Sequence, residues 1–245
     1  MSQTEDPPVN LALKPEAPAR PPGQRAVRPK NAATVMLIRR DGPKPRVLMG
    51  KRHGGHSFMP DRWVFPGGRI DPADYRAPYG SDLRAEVGGL FDQYLPKNKG
   101  RALALAAVRE TWEEAGLLLA KPGEAPRRRG ASGPWKDFVA QGVLPDLEAM
   151  DVVARAVTPP NAGKRFDTWF LTADAERLTS LERQPDCGEL EQIEWVNFDD
   201  ALGLELPTVT RMMIKETVER LKDPSRPKPF LRYKNRISGM APSYL

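Results

Sequence analysis

The chain has 245 residues, of which 40% are hydrophobic and 29% are charged, and this composition supports one fairly large folded domain or two small ones. The net charge is +6. Residues 1–30, 121–130 and 222–245 together carry a net charge above +6, so the rest of the chain has a net negative charge. Basic segments around an acidic body argue against nucleic acid as the principal partner. A single cysteine, Cys187, excludes an intrachain disulfide, and no segment approaches the ~20 apolar residues of a membrane span. We therefore expect a cytoplasmic protein with no membrane association.

Two terminal segments differ in composition from the rest of the chain. Residues 1–30 are rich in proline and poor in large apolar side chains, which predicts a disordered arm. Residues 223–245 are basic and also contain proline, which predicts a C-terminal tail, although Phe230 and Leu231 would allow part of it to pack. Residues 31–222 remain as the folded domain.

Between these segments, apolar periodicity predicts the elements in chain order. Short apolar and β-branched runs predict strands, separated by turn signals such as Asp41-Gly42-Pro43. Apolar residues at helical spacing predict helices, most strongly at 101–115 and 208–221. The predicted strands are 32–38, 46–49, 63–65, 152–157, 166–172 and 191–196, and the predicted helices are 81–95, 101–115, 135–141, 199–204 and 208–221. This mixed order predicts an α/β protein whose helices pack on a mixed sheet.

The helix predicted at 101–115 carries an acidic face. At about 100° per residue its apolar side chains form a core stripe, and the carboxylates of Glu110, Glu113 and Glu114 lie opposite that stripe. Like charges at this spacing repel one another, so a merely solvated face is the plainer alternative. Mg²⁺ prefers oxygen ligands and commonly joins carboxylates to substrate phosphates, which makes a cation site the stronger interpretation. Arg109 lies beside this face and could fix it by reaching a carboxylate or a loop carbonyl.

A glycine loop and this helix together resemble a known motif. Pro66-Gly67-Gly68 and Arg109-Glu110-Thr111-Trp112-Glu113-Glu114-Ala115-Gly116-Leu117 are similar to the Nudix box. That box has a glycine, an acidic residue six positions later, and then Arg-Glu-U-x-Glu-Glu-x-Gly-U, where U is apolar; Thr111 is a mild departure. The resemblance covers residues 31–221 approximately and implies an α/β/α sandwich whose box binds Mg²⁺ or Mn²⁺. It also implies hydrolysis of a nucleoside diphosphate linked to another moiety.

The box is split by an inserted helical element at about residues 75–100. The 34 residues between Asp74 and Arg109 replace the seven of the standard box. Asp74 stands six positions after Gly68, where the family prefers glutamate, and Asp71 and Glu86 are the other carboxylates that could complete the box. The sequence leaves this choice open.

The split box and the fragments around it resemble one Nudix branch. The fragments are His56-Ser57-Phe58-Met59-Pro60, Phe65-Pro66-Gly67-Gly68-Arg69-Ile70-Asp71 and Arg165-Phe166-Asp167-Thr168. This branch includes peroxisomal mammalian enzymes that cleave coenzyme A and its esters. The last residues, Ser243-Tyr244-Leu245, differ from the peroxisomal Ser-Lys-Leu signal, which favours a cytoplasmic relative.

The resemblance implies roles for individual residues. The expected metal ligands are Glu110, Glu113, Glu114 and Asp74. The expected catalytic residues are Glu113, Glu114, Arg109 and Glu189. Glu189 is the candidate general base because it lies six positions before Trp195, with Glu191 as the alternative. The expected substrate contacts are Arg52, Arg69, Gly67 and Gly68.

The leading hypothesis is therefore an Mg²⁺- or Mn²⁺-dependent diphosphatase acting on coenzyme A or an acyl-CoA. An ADP-ribose, nucleotide-sugar or dinucleotide pyrophosphatase is the alternative within the family. A non-catalytic nucleotide-binding module is the alternative from another class, although such modules usually lose box carboxylates that are all present here. The oligomeric state is open, with a homodimer as one option.

Overall fold

The protein is described by a computed structural model, which covers residues 27–55, 59–125, 131–184, 190–235 and 239–245, together with residues 21, 23 and 25. The described strands are β1 (Lys30–Arg39), β2 (Arg46–Arg52), β3 (Trp63–Val64), β4 (Gly67–Arg69), β5 (Ala120–Pro122), β6 (Val143–Pro145), β7 (Asp151–Val157), β8 (Phe166–Asp174), β9 (Leu190–Asn197), β10 (Pro229–Asn235) and β11 (Gly239–Tyr244). The helices are α1 (Ala85–Tyr94), α2 (Lys99–Ala115), α3 (Trp135–Ala140), α4 (Phe198–Ala201) and α5 (Thr208–Lys222), with two 3-10 turns at Leu147–Ala149 and Ala175–Arg177. Each helix and strand predicted from the sequence is confirmed, with ends that differ by a few residues.

A mixed sheet forms the centre of the fold. Its strand order is β11-β10-β7-β8-β1-β2-β3, with β4 also paired to β1 and β9 to β2. The β1–β8 and β7–β10 pairs are parallel, and the other pairs are antiparallel. Strands β5 and β6 form a separate small antiparallel pair.

Helices cover both faces of this sheet. Successive strand residues point to opposite faces, so Val35 and Leu37 join the core beneath α1, α2 and α3. Met36 and Ile38 join the core beneath α4 and α5. The predicted α/β/α sandwich with a mixed sheet is therefore confirmed.

Helix α2 is more deeply buried than one amphipathic stripe predicts. All residues from Ala102 to Arg109 are buried, because the helix lies between the sheet and the inserted element. In that element Phe91 of α1 packs against Trp169 of β8, with ring centroids 4.8 Å apart. Gly116 ends α2 with φ +67° and donates its N–H to the carbonyl of Trp112, which is the usual conformation of a glycine at a helix C-terminus.

The segment predicted as a basic C-terminal tail belongs to the sheet, so its description as a tail is wrong. Strand β10 pairs with β7, and β11 folds back on β10. Leu231 is 2% exposed in the core beneath α5. Basic residues flank Phe230 and Leu231 in the sequence, and this composition concealed the apolar residues that anchor the hairpin.

The predicted arm at 1–30 falls mostly outside the described residues. Its last residues are held, because Arg165 Nη1 donates to the carbonyl of Val27 at 2.8 Å and Lys30 already begins β1. No helix in the described ranges is both long and apolar enough to cross a membrane.

Candidate functional site

The glycine strand β4 and the acidic face of α2 lie against each other. A Cβ atom on Gly68 would stand 2.2 Å from Glu110 Oε1, so only glycine allows this carboxylate to approach the strand. The N–H of Gly67 donates to Glu114 Oε2 at 2.9 Å. The two glycines of the box therefore position two of its three glutamates through direct backbone proximity.

Arg109 joins the parts of the split box. Its Nη1 donates to Glu110 Oε1 at 2.8 Å and to Glu113 Oε2 at 2.7 Å. Its Nη2 donates to the carbonyl of Arg69 at 2.9 Å. The side chain of Arg109 is only 7% exposed, so the guanidinium group itself is shielded from bulk solvent. Arg109 reaches both a carboxylate and a loop carbonyl, the two kinds of partner predicted for it.

Of the three carboxylates that could complete the box, Asp74 is the one that contacts Arg109. It is fully buried, and its two oxygens accept from Arg109 Nε at 3.0 Å and Nη2 at 3.2 Å. They also accept from Trp135 Nε1 at 2.9 Å and from the N–H of Asp71 at 2.8 Å. With both oxygens engaged behind Arg109, Asp74 has the geometry of a positioning residue and does not share the surface of the expected metal ligands.

The other two candidates for the missing carboxylate lie elsewhere. Asp71 caps the turn before Asp74 by accepting from the N–H of Ala73 at 2.7 Å. Glu86 is exposed on α1 and pairs with Arg84 at 2.7 Å. The structure thus brings Asp74, but neither Asp71 nor Glu86, to the arginine of the box.

Burial and charge shift the ionisation of this cluster. Desolvation raises the pKa of Glu110 above its usual value, and the positive charge of Arg109 opposes that rise without cancelling it. Burial by itself would lower the pKa of Arg109, but its hydrogen bonds to Asp74 and the neighbouring carboxylates raise it overall. Arg109 therefore stays charged and compensates carboxylates that are partly removed from water.

The donor atoms suit a hard cation, although they are not arranged around one. Across the described ranges, no three His, Cys, Asp or Glu side chains form a ready metal cluster. Here Arg109 Nη1 lies between Glu110 and Glu113 and supplies the positive charge. The side chains of Glu110 and Glu113 are 17% and 35% exposed, so a cation could reach their oxygens from solvent. Carboxylate oxygens on one accessible face fit Mg²⁺ or Mn²⁺.

Thr111 and Trp112 of the box also pack inward, Thr111 completely and Trp112 partly. Thr111, which departs from the motif, is fully buried and donates its hydroxyl to the carbonyl of Ala107 at 2.8 Å. The helix itself satisfies this hydroxyl, so a threonine fits where the family has an apolar residue. Trp112 packs on Phe138 and donates to Gln184 Oε1 at 2.8 Å.

The remaining predicted residues are distributed around the glycine strand. Arg69 is exposed at the end of β4, and Arg52 is half-buried at the end of β2, where it pairs with Leu190 of β9. Glu189 immediately precedes β9 and lies outside the described residues. Glu191 is exposed, with a carboxylate oxygen 3.3 Å from His53 Nε2.

Sequence reasoning missed the role of Trp135. Its indole N–H binds the carboxylate that holds Arg109, and its ring packs on Phe138 at 5.2 Å between centroids. It lies 61 residues after Asp74, and no motif links the two positions. Only the folded arrangement shows that a tryptophan completes the pocket around this carboxylate.

An α/β/α sandwich in which a glycine strand abuts a glutamate-bearing helix is the architecture expected of a Nudix domain. The chain belongs to the Nudix family, because the family model described as the NUDIX domain matches residues 28–216. The relatives found include acyl-coenzyme A diphosphatase NUDT19 of Gallus gallus, 30% identical over 63% of this chain and 50% of that protein. They also include acyl-coenzyme A diphosphatase NUDT19 of Homo sapiens, 28% identical over 64% of this chain and 54% of that protein.

A solved structure shows the same fold. The NUDIX hydrolase from Alicyclobacillus acidocaldarius matches with a TM-score of 0.59 and 28% identity, covering 77% of this chain and 90% of that one. The chain spans about half the length of the curated relatives it matches. Similarity within this domain therefore does not assign the activity of the full-length relatives to this chain.

Proposed function

We propose that the protein is a divalent-cation-dependent diphosphatase that cleaves coenzyme A or an acyl-CoA at its diphosphate. The observation that carries this proposal is the carboxylate face of α2, which Arg109 and the two glycines of β4 hold together. A fold kept only for binding would not need three neighbouring glutamates, of which Glu110 and Glu113 are partly exposed and Glu114 is buried. Similarity to the two acyl-coenzyme A diphosphatases supports the choice of substrate.

Glu110, Glu113 and Glu114 are the proposed holders of Mg²⁺ or Mn²⁺. Bound there, the cation would neutralise diphosphate oxygens and lower the pKa of an attacking water. Arg109 keeps the carboxylates on one face, and Gly67 fixes Glu114 through its N–H. Asp74 acts on this site through Arg109, so we propose it as a positioning residue. Arg69 and Arg52, at the ends of β4 and β2, are proposed contacts for the phosphates.

Replacement of the glutamates tests the proposal directly. We expect Glu113→Gln and Glu114→Gln each to lower kcat for coenzyme A by at least about 100-fold, because an amide is a poorer cation ligand than a carboxylate. The assay follows product masses with Mg²⁺ and with Mn²⁺. Glu182→Gln, at an exposed position outside α2 and β4, is the matched control and should leave kcat unchanged.

The thermal midpoint of unfolding gives a second measure on the same proteins. Mg²⁺ should raise the midpoint of the wild type and of Glu182→Gln, since a ligand that binds the folded state stabilises it. It should not raise that of the two site variants. Full turnover by both site variants would contradict the assignment of the glutamates as cation ligands. Turnover of ADP-ribose or dinucleotides in place of coenzyme A would contradict the proposed substrate.

Glu189 is the proposed general base, with Glu191 as the competing candidate. Ile193 and Trp195 of β9 pack on the α2 side of the sheet, and Glu191 lies at the irregularity in the β2–β9 pairing, where Lys51 pairs with Gln192 and Arg52 with Leu190. Loss of a general base typically lowers the rate by about 100- to 10,000-fold. We expect Glu189→Gln to show such a loss in kcat, while Mg²⁺ still raises its thermal midpoint of unfolding. Glu191→Gln should lose only its contact with His53. If Glu191→Gln instead lost kcat across a pH–rate series and Glu189→Gln did not, Glu191 would be the general base.

A further inference from the structure

A basic cleft lies beside the glycine strand and outside the carboxylate face. It has a volume of about 810 Å³, and the segment before β1, the end of β4 and the start of the insertion line it. Four of its lining residues are basic and none is acidic; the basic ones are Arg28, Lys30, Arg69 and Arg76. A concave surface with charges of one sign attracts an oppositely charged ligand more strongly than scattered charges do.

The basic side chains of the cleft are available to a ligand. All four are exposed, and within the described part of the chain none forms a salt bridge or a side-chain hydrogen bond. Most other arginines of this domain are paired, for example Arg101 with Asp82 and Arg155 with Asp167. Four unpaired cations around one cleft repel one another, and a bound anion would relieve that repulsion.

The walls of the cleft are fixed to the site described above. The carbonyl of Arg69 accepts from Arg109 Nη2, and the N–H of Ile70 donates to the carbonyl of Asn31 at 3.1 Å. The turn that presents Tyr75 and Arg76 is held by Asp74, which binds the N–H of Asp71. The same buried pair therefore positions both the glutamates and one wall of the cleft.

We propose that this cleft binds a phosphomonoester that the substrate carries apart from its scissile diphosphate. The inference rests on the proposed function, because coenzyme A differs from its dephospho form by one such group on the ribose of its nucleotide half. Since Arg69 is a proposed contact for the diphosphate, Arg28, Lys30 and Arg76 are the cations of the cleft that remain for a phosphate with two negative charges, and guanidinium groups bind such a group through two N–H donors. Tyr75, 49% exposed at the edge of the cleft, offers a flat aromatic face to the adjoining base.

Binding without a metal tests the cleft apart from catalysis. In EDTA, calorimetry should show adenosine 3′,5′-bisphosphate binding at least about ten-fold more tightly than 5′-AMP, which is equivalent to about 1.4 kcal/mol. The double variant Arg28→Gln/Arg76→Gln should abolish this difference. Lys97→Gln/Lys136→Gln removes the same charge from exposed positions outside the cleft and should preserve the difference.

Turnover provides the second measurement. For the wild type, kcat/KM should be at least about ten-fold higher for coenzyme A than for dephospho-coenzyme A, and Arg28→Gln/Arg76→Gln should bring the two values together. An unchanged preference in that variant, or equal binding of the two adenosine ligands by the wild type, would overturn the cleft proposal. If neither coenzyme is hydrolysed, the proposed function fails, and the calorimetric comparison still decides the cleft.

Discussion

At the scale of single residues, the contact between Asp74 and Arg109 joins the two parts of the split box. Asp74→Asn removes the charge that balances the buried guanidinium while keeping the size of the side chain. We expect the free energy of unfolding to fall by about 3 kcal/mol, as when one partner of a buried ion pair is removed. Urea unfolding measures this change.

Glu86→Gln is the matched control for that substitution. Glu86 is an exposed carboxylate of the same insertion, and its pairing with Arg84 lies at the surface. Its removal should change the free energy of unfolding by less than about 0.5 kcal/mol. Equal effects of the two substitutions would contradict the role assigned to Asp74.

At the scale of elements, the inserted helix α1 packs closely on the start of α2. A Cβ on Gly100 would stand 2.4 Å from Cβ of Phe91, so Gly100→Ala forces the two helices apart. We expect it to lower the free energy of unfolding by about 1–3 kcal/mol, the usual penalty of overpacking. The same experiment on Gly88→Ala should give the opposite sign.

Gly88 lies in α1, and a Cβ added to it would meet no atom within 4 Å. Alanine there should stabilise the protein by about 0.4–1 kcal/mol, because it restricts the unfolded chain and favours the helix. Chemical denaturation of both variants separates a packing effect from a change in helix propensity. Destabilisation by Gly88→Ala would contradict the open space found around that position.

At the scale of the whole molecule, the C-terminal hairpin completes the sheet. Leu231 of β10 is buried beneath α5, and the ring of Phe230 lies 4.5 Å from the guanidinium carbon of Arg155. We expect Leu231→Ala to lower the free energy of unfolding by about 2–5 kcal/mol. Leu181→Ala, at a residue 39% exposed, should change it by less than about 0.5 kcal/mol. A small effect at Leu231 would restore the interpretation of this segment as a tail.

The sequence predicted much of this molecule but not all of it. Strand and helix periodicity located the sandwich, and the motif located Arg109 and the three glutamates, because these signals are local in the chain. The contact of Trp135 with Asp74 and the pairing of β10 with β7 were missed. Both join distant parts of the chain, and neither leaves a repeated pattern in the residues that form it.

The pair formed by Asp74 and Arg109 also closes a loop, since 35 positions separate the two residues. All of the inserted element lies between them, so the glycine strand and the glutamate helix are held together by this contact and by the direct approach of Gly67 and Gly68 to the helix, and not by the length of the insertion. The entropy of closing a loop grows only with the logarithm of its length, and doubling the length costs about 0.6 kcal/mol. Evolution can therefore lengthen or exchange this segment, and with it one wall of the basic cleft, while the arrangement of the glutamates is retained.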